Sequence, residues 1–388
     1  MDIKNLVDEK KIINWRRYIH MYPEVAFTEV ETAKYIVNEL ANYPDLEIHR
    51  PSGNAVVAVL KGAKPGKIIG LRADFDALPV NEEADVEFKS KNPGVSHLCG
   101  HDCHAAMLLG AVDALYKIKD ELAGTVKFIF QHAEELPPGG AKGIVESKIL
   151  NDVEAFYAAH VFPDDPVGIV KSATGPVSAN SDMFAIKIFG KGTHAAMPET
   201  GIDPLLIGAQ IVQALNFIVS RNVSAFERAV LTVGAFNAGT SFNIIPDTAE
   251  IKGTIRTFSA DVRDLMEKRM KEVAEGICKA NGAVCEIDYK RGYSSTINDE
   301  KLHELFCKTI EKTYPDLKIA EMKPMMGGED FSAYGSIAPT LFAGLCAGPA
   351  SGEVFMNHHP KFNINEEVLP IGTAIAVAFA LELVINPQ

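Results

Sequence analysis

Three short apolar segments, each followed closely by side chains that can bind metals or carry protons, place the tightest constraint on the fold. Their length and their bounding residues predict β-strands. Open α/β sheets place their chemistry at the carboxyl ends of strands, so we expect an α/β fold with one shared site at a sheet edge. The segments are 68–73 before Asp74-Phe75-Asp76, 125–130 before Gln131-His132-Ala133-Glu134-Glu135, and 155–159 before His160.

A cluster of potential metal ligands lies between the first two of these strands. The segment Cys99-Gly100-His101-Asp102-Cys103-His104 offers two thiols, two imidazoles and a carboxylate. The apolar run 105–115 predicts a helix, so the cluster lies at a helix N-terminus, which favours a thiolate. Two other interpretations of Cys99 remain open. They are a buried small hydrophobe and a redox pair with Cys103, although three residues rather than two separate the cysteines.

The chain between 182 and 292 has a different pattern, strand-helix-strand-strand-helix-strand, which is typical of a ferredoxin-like βαββαβ domain. Because the alternation of strands and helices resumes afterwards, we predict an insertion. The catalytic domain would consist of residues 1–181 and 293–388. Near the start of the chain, a helix is predicted to open at Thr28, where Thr28-Glu29-Val30-Glu31 matches a capping box.

Composition excludes several classes of partner. The net charge of -13 argues against nucleic acid and anionic membranes, because a phosphate-binding surface needs an excess of lysine and arginine. Residues 1–5 do not form the apolar segment of a signal peptide. The stretch from Val368 to Leu381 contains Pro370 and is too short to span a membrane, so it predicts a buried helix. Six scattered cysteines do not form a disulfide framework, which favours a reducing cytoplasm.

Glu134 and Glu135 are the strongest acid–base candidates. Adjacent carboxylates are usually a solvated turn, but two charges near a buried strand end are costly unless a cation shares them. One carboxylate would then bind a metal while its neighbour carries a proton. His160 and His358 would each be structural histidines if they stood alone. Together with the cysteine-histidine cluster they are candidate metal ligands.

Five separated motifs resemble those of the metal-dependent N-acyl-amino-acid amidohydrolases. This family includes hippurate hydrolase, the plant indoleacetyl-amino-acid hydrolases and N-acetyldiaminopimelate deacetylase, within the aminoacylase and carboxypeptidase clan. The resemblance implies a mixed-sheet, metallopeptidase-like catalytic domain. The motifs are Arg72-Ala73-Asp74-Phe75-Asp76-Ala77-Leu78-Pro79, Cys99-Gly100-His101-Asp102, Glu134-Glu135, Gly190-Lys191-Gly192-Thr193-His194-Ala195-Ala196 and Gly328-Glu329-Asp330-Phe331.

The resemblance also implies a site with two divalent metal ions, usually zinc or manganese. Sulfur, nitrogen and oxygen donors also suit cobalt or nickel. Glu134 would be the general base, and Asp76 would support the site. Asp74 stands where related enzymes have a metal-binding histidine, and only the first histidine of the pair His358-His359 aligns with a ligand. The implied metal ligands are Cys99, which would bridge the two ions, and His101, Glu135, His160 and His358.

On the substrate side, the histidine that matches His194 in related enzymes often reaches the active site of the partner subunit. A homodimer or higher homo-oligomer through the inserted domain is therefore expected. We hypothesise that His194 shares the developing oxyanion with the metals. Asn243 and Arg256 are candidates to bind the substrate carboxylate, and Glu329 supports the metal shell or binds the product ammonium. The alternatives are that His194 is an ordinary loop histidine and that Arg256 is a sheet-surface arginine in a salt bridge.

The sequence thus predicts hydrolysis of N-acyl amino acids, small-molecule substrates from which a carboxylic acid and a free amino acid are released. A dipeptidase or aminopeptidase-like exopeptidase is the alternative within hydrolases. A metal-binding or small-molecule-binding protein without turnover is the alternative from another class, and Glu134 argues against it because storage needs no base. A thiol redox protein would require Cys103 as well as Cys99.

Overall fold

The computed structural model describes residues 3–349 and 352–385, and within them it separates two compact units. The larger consists of residues 3–177, 296–323, 330–349 and 352–385, and the smaller of 178–295 and 324–329. The predicted boundaries place 324–329 in the catalytic domain, whereas the structure groups this loop with the smaller unit. The reason is long-range backbone pairing, because Ala179 N donates to Gly327 O and Ser178 bridges Met325.

The secondary structure alternates between helices and strands along most of the chain. The helices are α1 (Glu9–Met21), α2 (Val30–Leu40), α3 (His101–Lys117), α4 (Gly140–Glu146), α5 (Pro204–Arg221), α6 (Ala260–Ala280), α7 (Glu300–Thr313) and α8 (Val368–Ile385). Short 3-10 helices occupy Ile3–Leu6, Pro198–Thr200 and Asp330–Ser336. The strands are β1 (Glu47–His49), β2 (Val56–Lys61), β3 (Lys64–Asp74), β4 (Ala123–Gln131), β5 (Ala155–Pro166), β6 (Ile169–Ser172), β7 (Gly175–Pro176), β8 (Asn180–Phe189), β9 (Thr193–His194), β10 (Ala229–Ala238), β11 (Ile244–Ile245), β12 (Thr248–Thr257), β13 (Val284–Arg291), β14 (Ile297–Asn298), β15 (Lys318–Glu321) and β16 (Thr340–Gly348).

The larger unit is built on a mixed sheet, as predicted. Its main order is β1-β2-β4-β3-β5-β16-β14-β7, with β6 pairing with both β15 and β16. The central strands β4, β3, β5 and β16 run parallel, and β1 and β2 add an antiparallel edge. Parallel strands need cover on their faces. Helix α3 provides part of this cover and is buried at every position from His101 to Leu115.

Helix α8 also belongs to this core, but it is longer than predicted. It runs to Ile385, because Glu382 does not end the helix and instead pairs with Lys312 at 2.7 Å. Pro370 lies in its first turn, where a missing N–H is tolerated. At 18 residues α8 is long and apolar enough to cross a membrane, as is α5, so the predicted shortness of this segment is wrong. In α8, 72% of the apolar window is buried inside the protein, as expected of a core helix, against 33% in α5.

The predicted capping box at Thr28 is also wrong. Helix α2 begins at Val30, and Thr28 Oγ1 donates to the Val25 carbonyl instead. The carboxylate of Glu24 accepts hydrogen bonds from the first-turn N–H groups of Glu31 and Thr32, at 3.2 and 2.8 Å. A residue outside the helix therefore caps it, which leaves Glu29 available for other contacts.

The smaller unit has the predicted βαββαβ element order. Its antiparallel sheet has the order β10-β12-β8-β13, which is the arrangement of a ferredoxin-like sandwich. Alternate residues of β8, namely Phe184, Ile186 and Ile188, form its core together with the apolar faces of α5 and α6. A separate two-stranded pair, β9 with β11, sets His194 opposite Ile244.

Candidate metal centre

The site in the larger unit begins at the turn into α3. Gly100 precedes this helix with a φ of +90°, a left-handed conformation that side chains rarely adopt. A Cβ there would also lie 2.3 Å from a methyl group of Val161 on β5. Glycine is therefore required for Cys99 and His101 to come close to the strand that carries His160.

The structure brings together all five predicted metal ligands and Glu134. Their potential ligand atoms form three overlapping groups, in each of which the atoms lie within 4.8 Å of one another. Cys99 is common to two of the groups and is nearly buried. The groups are Cys99, His101 and His160; Cys99, Glu135 and His358; and His101, Glu134 and Glu135.

The hydrogen bonds of two histidines leave one ring nitrogen of each directed into the cluster. His160 donates from Nδ1 to the Val161 carbonyl at 2.9 Å, and its Nε2 lies 3.4 Å from Cys99 Sγ. His101 Nδ1 lies 3.2 Å from Asp76 Oδ1, which leaves Nε2 of His101 for a ligand. We assign both tautomers from these contacts. Metal-binding histidines typically donate the N–H of their other ring nitrogen to a carboxylate or a backbone carbonyl in this way.

Two buried atoms of the cluster fit a cation. Within the described ranges, Nε2 of His101 and Oε1 of Glu135 lack a well-formed hydrogen bond. Glu135 Oε1 does lie 3.3 Å from Nε2 of His358, an ion-pair distance without good hydrogen-bond geometry. Buried polar atoms are costly when left unpaired. Their convergence, with the sulfur, nitrogen and oxygen donors around them, suits divalent metal ions.

Burial dominates the electrostatics of the two cysteines. Burial, with a contribution from Glu135, raises the pKa of Cys99 to about 12. Burial and Asp102 raise the pKa of Cys103 well above its ordinary value. Burial therefore outweighs the thiolate stabilisation expected from the helix terminus. The redox interpretation loses support, because it needs Cys103 as a reactive thiol, and burial beside Asp102 disfavours the Cys103 thiolate.

Sequence reasoning missed a buried polar network beside the ligands. Asp74 accepts from His104 Nδ1 at 2.6 Å and from Arg72 at 2.7 Å. The other ring nitrogen of His104 accepts from Val161 N at 3.0 Å, so both nitrogens are occupied. The sequence feature that could have indicated this network is the position of His104, three residues after His101 on the same helix. Asp74, whose role the sequence left open, thus fixes the helix that carries His101.

Asp76 links two candidate ligands. One of its oxygens accepts from His101, and the other accepts from the backbone N–H of Glu135 at 3.0 Å. It is almost fully buried. Asp76 is therefore placed to orient ligands rather than to contact a substrate.

The two adjacent histidines have different environments. The His358 side chain is 54% exposed and its φ is +72°, and its backbone N–H donates to the Leu98 carbonyl. The ring of His359 stacks on Phe355, and its Nδ1 accepts from Lys361 N. The side chain of His358 is the one grouped with Cys99 and Glu135.

The remaining predicted residues belong to the smaller unit. His194 and Asn243 line one cavity of about 780 Å³, and Ala195 N donates to the Asn243 carbonyl. Arg256 does not line it. Its Nη1 donates to the carbonyls of Asp182 and Ile255, rather than to the carboxylate expected of a salt bridge. Glu329 is buried in the loop 324–329.

Comparison with known proteins identifies a family and several relatives. The model of peptidase family M20/M25/M40 matches residues 70–382. An N-acyl-L-amino acid amidohydrolase of Geobacillus stearothermophilus is 44% identical over 76% of this chain and 81% of the relative. Thermostable carboxypeptidase 1 of Saccharolobus solfataricus is 38% identical over 98% of this chain and 96% of the relative. A Bacillus subtilis crystal structure, described as a dinuclear metal binding peptidase from the M20 family, is 34% identical with a TM-score of 0.85, covering 97% of this chain and 98% of that one.

Proposed function

This chain belongs to peptidase family M20/M25/M40, and we propose that it hydrolyses the amide bond of N-acyl amino acids. The products are a carboxylic acid and a free amino acid. One observation carries the proposal: five donor side chains from distant parts of the sequence converge beside an additional carboxylate, that of Glu134. A protein that only stores or senses a metal has no need of that carboxylate.

The ligands of two divalent metal ions would be Cys99, His101, Glu135, His160 and His358, with Cys99 shared. When bound, such ions supply Lewis acidity toward water and the amide carbonyl. We assign zinc or manganese, and metal analysis of the purified protein tests this choice.

Glu134 acts as the general base. It accepts a proton from the attacking water and returns it to the departing amine nitrogen. The residue is 8% exposed and its carboxylate is grouped with His101 and Glu135, which keeps the proton transfer shielded from bulk solvent. Asp76 fixes the positions of the His101 ring and the Glu135 backbone for this step through its hydrogen bonds.

The substrate-binding roles fall on the smaller unit. His194 donates to the developing oxyanion, and Asn243 binds the substrate carboxylate beside it in the same cavity. Arg256 is the weaker candidate for the carboxylate, because it already donates to two backbone carbonyls. Glu329 binds the amino group of the product or supports the metal ligands.

The test is a substrate panel with a matched base variant. Metal-loaded protein is incubated with acetyl, benzoyl and indoleacetyl amino acids and, in parallel, with dipeptides. Glu134→Gln is expected to lower kcat by about 10²- to 10⁴-fold with unchanged metal content. Undiminished hydrolysis by this variant would rule out the assigned base, and no turnover of any acyl amino acid would contradict the proposed function.

A second candidate, an exopeptidase, is favoured by the similarity to a thermostable carboxypeptidase. A dipeptide differs from an acetyl amino acid mainly by a free amino group. A kcat/KM for dipeptides at least tenfold above that for every acyl amino acid would favour this alternative.

We further propose a cytoplasmic homodimer assembled through the smaller unit. Strand β10 is an edge of its sheet, and its own Val230 and Phe236 are each more than a third exposed. Phe226, just before β10, is 99% exposed, and Phe217 on α5 is 61% exposed. Exposed apolar patches of this kind mark interaction surfaces.

A further inference from the structure

The turn that carries Glu134 is fixed at three backbone positions. Ala133 N donates to Glu29 Oε1 at 2.8 Å, and Ala133 O accepts from Gly140 N at 3.1 Å. The third position is the Glu135 N–H, which Asp76 binds. Ala133 itself has a φ of +52°, a left-handed conformation that costs a non-glycine residue on the order of 1 kcal/mol or more. Surrounding contacts must therefore maintain the turn.

The surroundings of Glu29 indicate that its side chain serves this turn. It is fully buried and acts only as an acceptor, taking hydrogen bonds from Ala133 N, from Phe27 N at 2.9 Å and from Asn54 Nδ2 at 3.0 Å. It makes no capping bond to α2, whose first turn Glu24 already caps. Burying a carboxylate is costly, so its hydrogen bonds must offset the loss of hydration.

We propose that Glu29 is a positioning residue that holds the general base Glu134 in its working orientation, an inference that rests on the proposed function. Without Glu29, the buried N–H of Ala133 would lose its acceptor. The left-handed residue would then be free to relax toward an extended conformation. Because Glu134 is the next residue, such a change would turn its carboxylate away from His101 and Glu135.

The substitutions Glu29→Ala and Glu29→Asp test this role. Both remove the acceptor from reach of Ala133, since aspartate is one methylene shorter. Each is expected to lower kcat by about 10- to 100-fold, while KM stays within about threefold and metal content is unchanged. Glu29→Gln is expected to keep kcat within about threefold of the wild type, because its amide oxygen can still accept from Ala133.

Glu24→Ala is the matched control. It removes a neighbouring carboxylate that also binds two backbone N–H groups, but those groups belong to α2. It is expected to lower the melting temperature without lowering kcat. An equal loss of kcat in Glu24→Ala, a loss of metal in Glu29→Asp, or failure of Glu29→Gln to restore kcat would overturn the proposal.

Hydrogen exchange separates this inference from the proposed function. Amides 133–135 are expected to exchange at least tenfold faster in Glu29→Asp than in the wild type or in Glu24→Ala. This readout needs no substrate. Unchanged exchange would overturn the positioning role even in an active enzyme, whereas faster exchange in a protein that hydrolyses no acyl amino acid would place the failure in the proposed function.

Discussion

Single residues in this protein take their properties from contacts that are distant in sequence. Cys99 and Cys103 lie four positions apart, but Cys99 is grouped with candidate ligands from the distant positions 135, 160 and 358. Cys103 is fully buried, and its sulfur lies 3.7 Å from Asp102 Oδ1.

The two cysteines are therefore expected to respond differently to substitution. Cys99→Ala removes the ligand shared by two of the groups and should lower the bound metal from two ions per chain to fewer than one. Cys103→Ala should keep both ions. Elemental analysis after dialysis against metal-free buffer measures both. Equal metal loss in the two variants would contradict the assignment of Cys99.

Glu29 should also make stability depend on pH. Burial raises its pKa from the ordinary 4.5 to about 7, so between these values the folded protein binds a proton that the unfolded chain does not. Stability is then lost as pH rises from 4.5 to 7, by about 3 kcal/mol in total. Glu29→Gln lacks this titration, so its unfolding free energy relative to the wild type should increase from pH 4.5 to pH 8. Urea unfolding at both values measures this. An unchanged difference would show that Glu29 does not titrate in this window.

Sequence reasoning at this scale identified residue types but not their partners. It selected Cys99, His101 and His160 from composition and position at strand ends. It could not assign His104 to Asp74 or Glu29 to Ala133, because each bond joins segments that meet only in the fold. Ring tautomers depend on the same contacts.

At the scale of elements, α3 is unusual because its polar first turn is buried together with its apolar remainder. Asp102 in that turn accepts from Arg16 at 2.8 Å and from His20 at 2.9 Å. Arg16 and His20 belong to α1. Ion pairing of α1 with α3 therefore anchors the end of the helix where His101 lies.

Breaking this ion pair should be costly. Arg16 and Asp102 are each 1% exposed, and Arg16→Met would leave the carboxylate without its arginine. We expect a loss of about 3–5 kcal/mol in unfolding free energy. Lys34→Met, which breaks an exposed pair with Glu31, is the control and should cost less than about 1 kcal/mol. Chemical denaturation measures both, and similar losses would contradict the assigned role of burial.

Two helical glycines give opposite predictions. A Cβ on Gly110 of α3 would lie 2.8 Å from Ile12 and 2.9 Å from Thr373, so Gly110→Ala should destabilise the protein by about 1–3 kcal/mol. Around Gly276 of α6, leaving aside its own helix, no described atom lies within 4 Å of such a Cβ. Gly276→Ala should therefore stabilise by about 0.5–1 kcal/mol. Thermal unfolding distinguishes the two, and a shift in the same direction for both would contradict this account.

Most elements were predictable from periodicity, but their ends were not. The predicted helix over 105–115 lies within α3, whereas α8 and β5 continue beyond their predicted ends. Helix α8 extends past Glu382 because this carboxylate pairs with Lys312, and β5 pairs with β16 as far as Pro166. Local patterns do not reveal such tertiary pairing.

At the scale of the whole molecule, the smaller unit presents two different sheet edges. On the β10 edge, Val230 and Phe236 are each more than a third exposed, and Phe226 just before the strand is almost fully exposed. On the other edge, β13 exposes Val284 but otherwise carries mostly charged and polar side chains. Unpaired apolar edges favour association.

The proposed dimer should therefore depend on the β10 edge. The double substitution Phe226→Asp and Val230→Lys is expected to convert the dimer to a monomer at micromolar concentration. Val284→Lys on the opposite edge is the control and should remain dimeric. Light scattering coupled to gel filtration measures the mass. A monomeric wild type, or dissociation by Val284→Lys alone, would contradict the proposed interface.

The division of the chain was visible in the sequence as a change of pattern at 182 and again at 292. The loop 324–329 was not, because it joins the smaller unit only through backbone bonds to residues 178 and 179. Nearness in sequence therefore does not predict which unit such a segment joins.

The points at which the chain first leaves and re-enters the larger unit are adjacent. Strands β7 and β14 pair antiparallel, and Val177 N donates to the Thr296 carbonyl at 2.9 Å. To the ten-stranded sheet, everything between these residues is equivalent to the loop of a single hairpin. Such a loop can lengthen, shorten or be exchanged without shifting the register of the strands in that sheet. Because the proposed substrate contacts lie on the smaller unit, substrate preference could diversify while that sheet stayed unchanged.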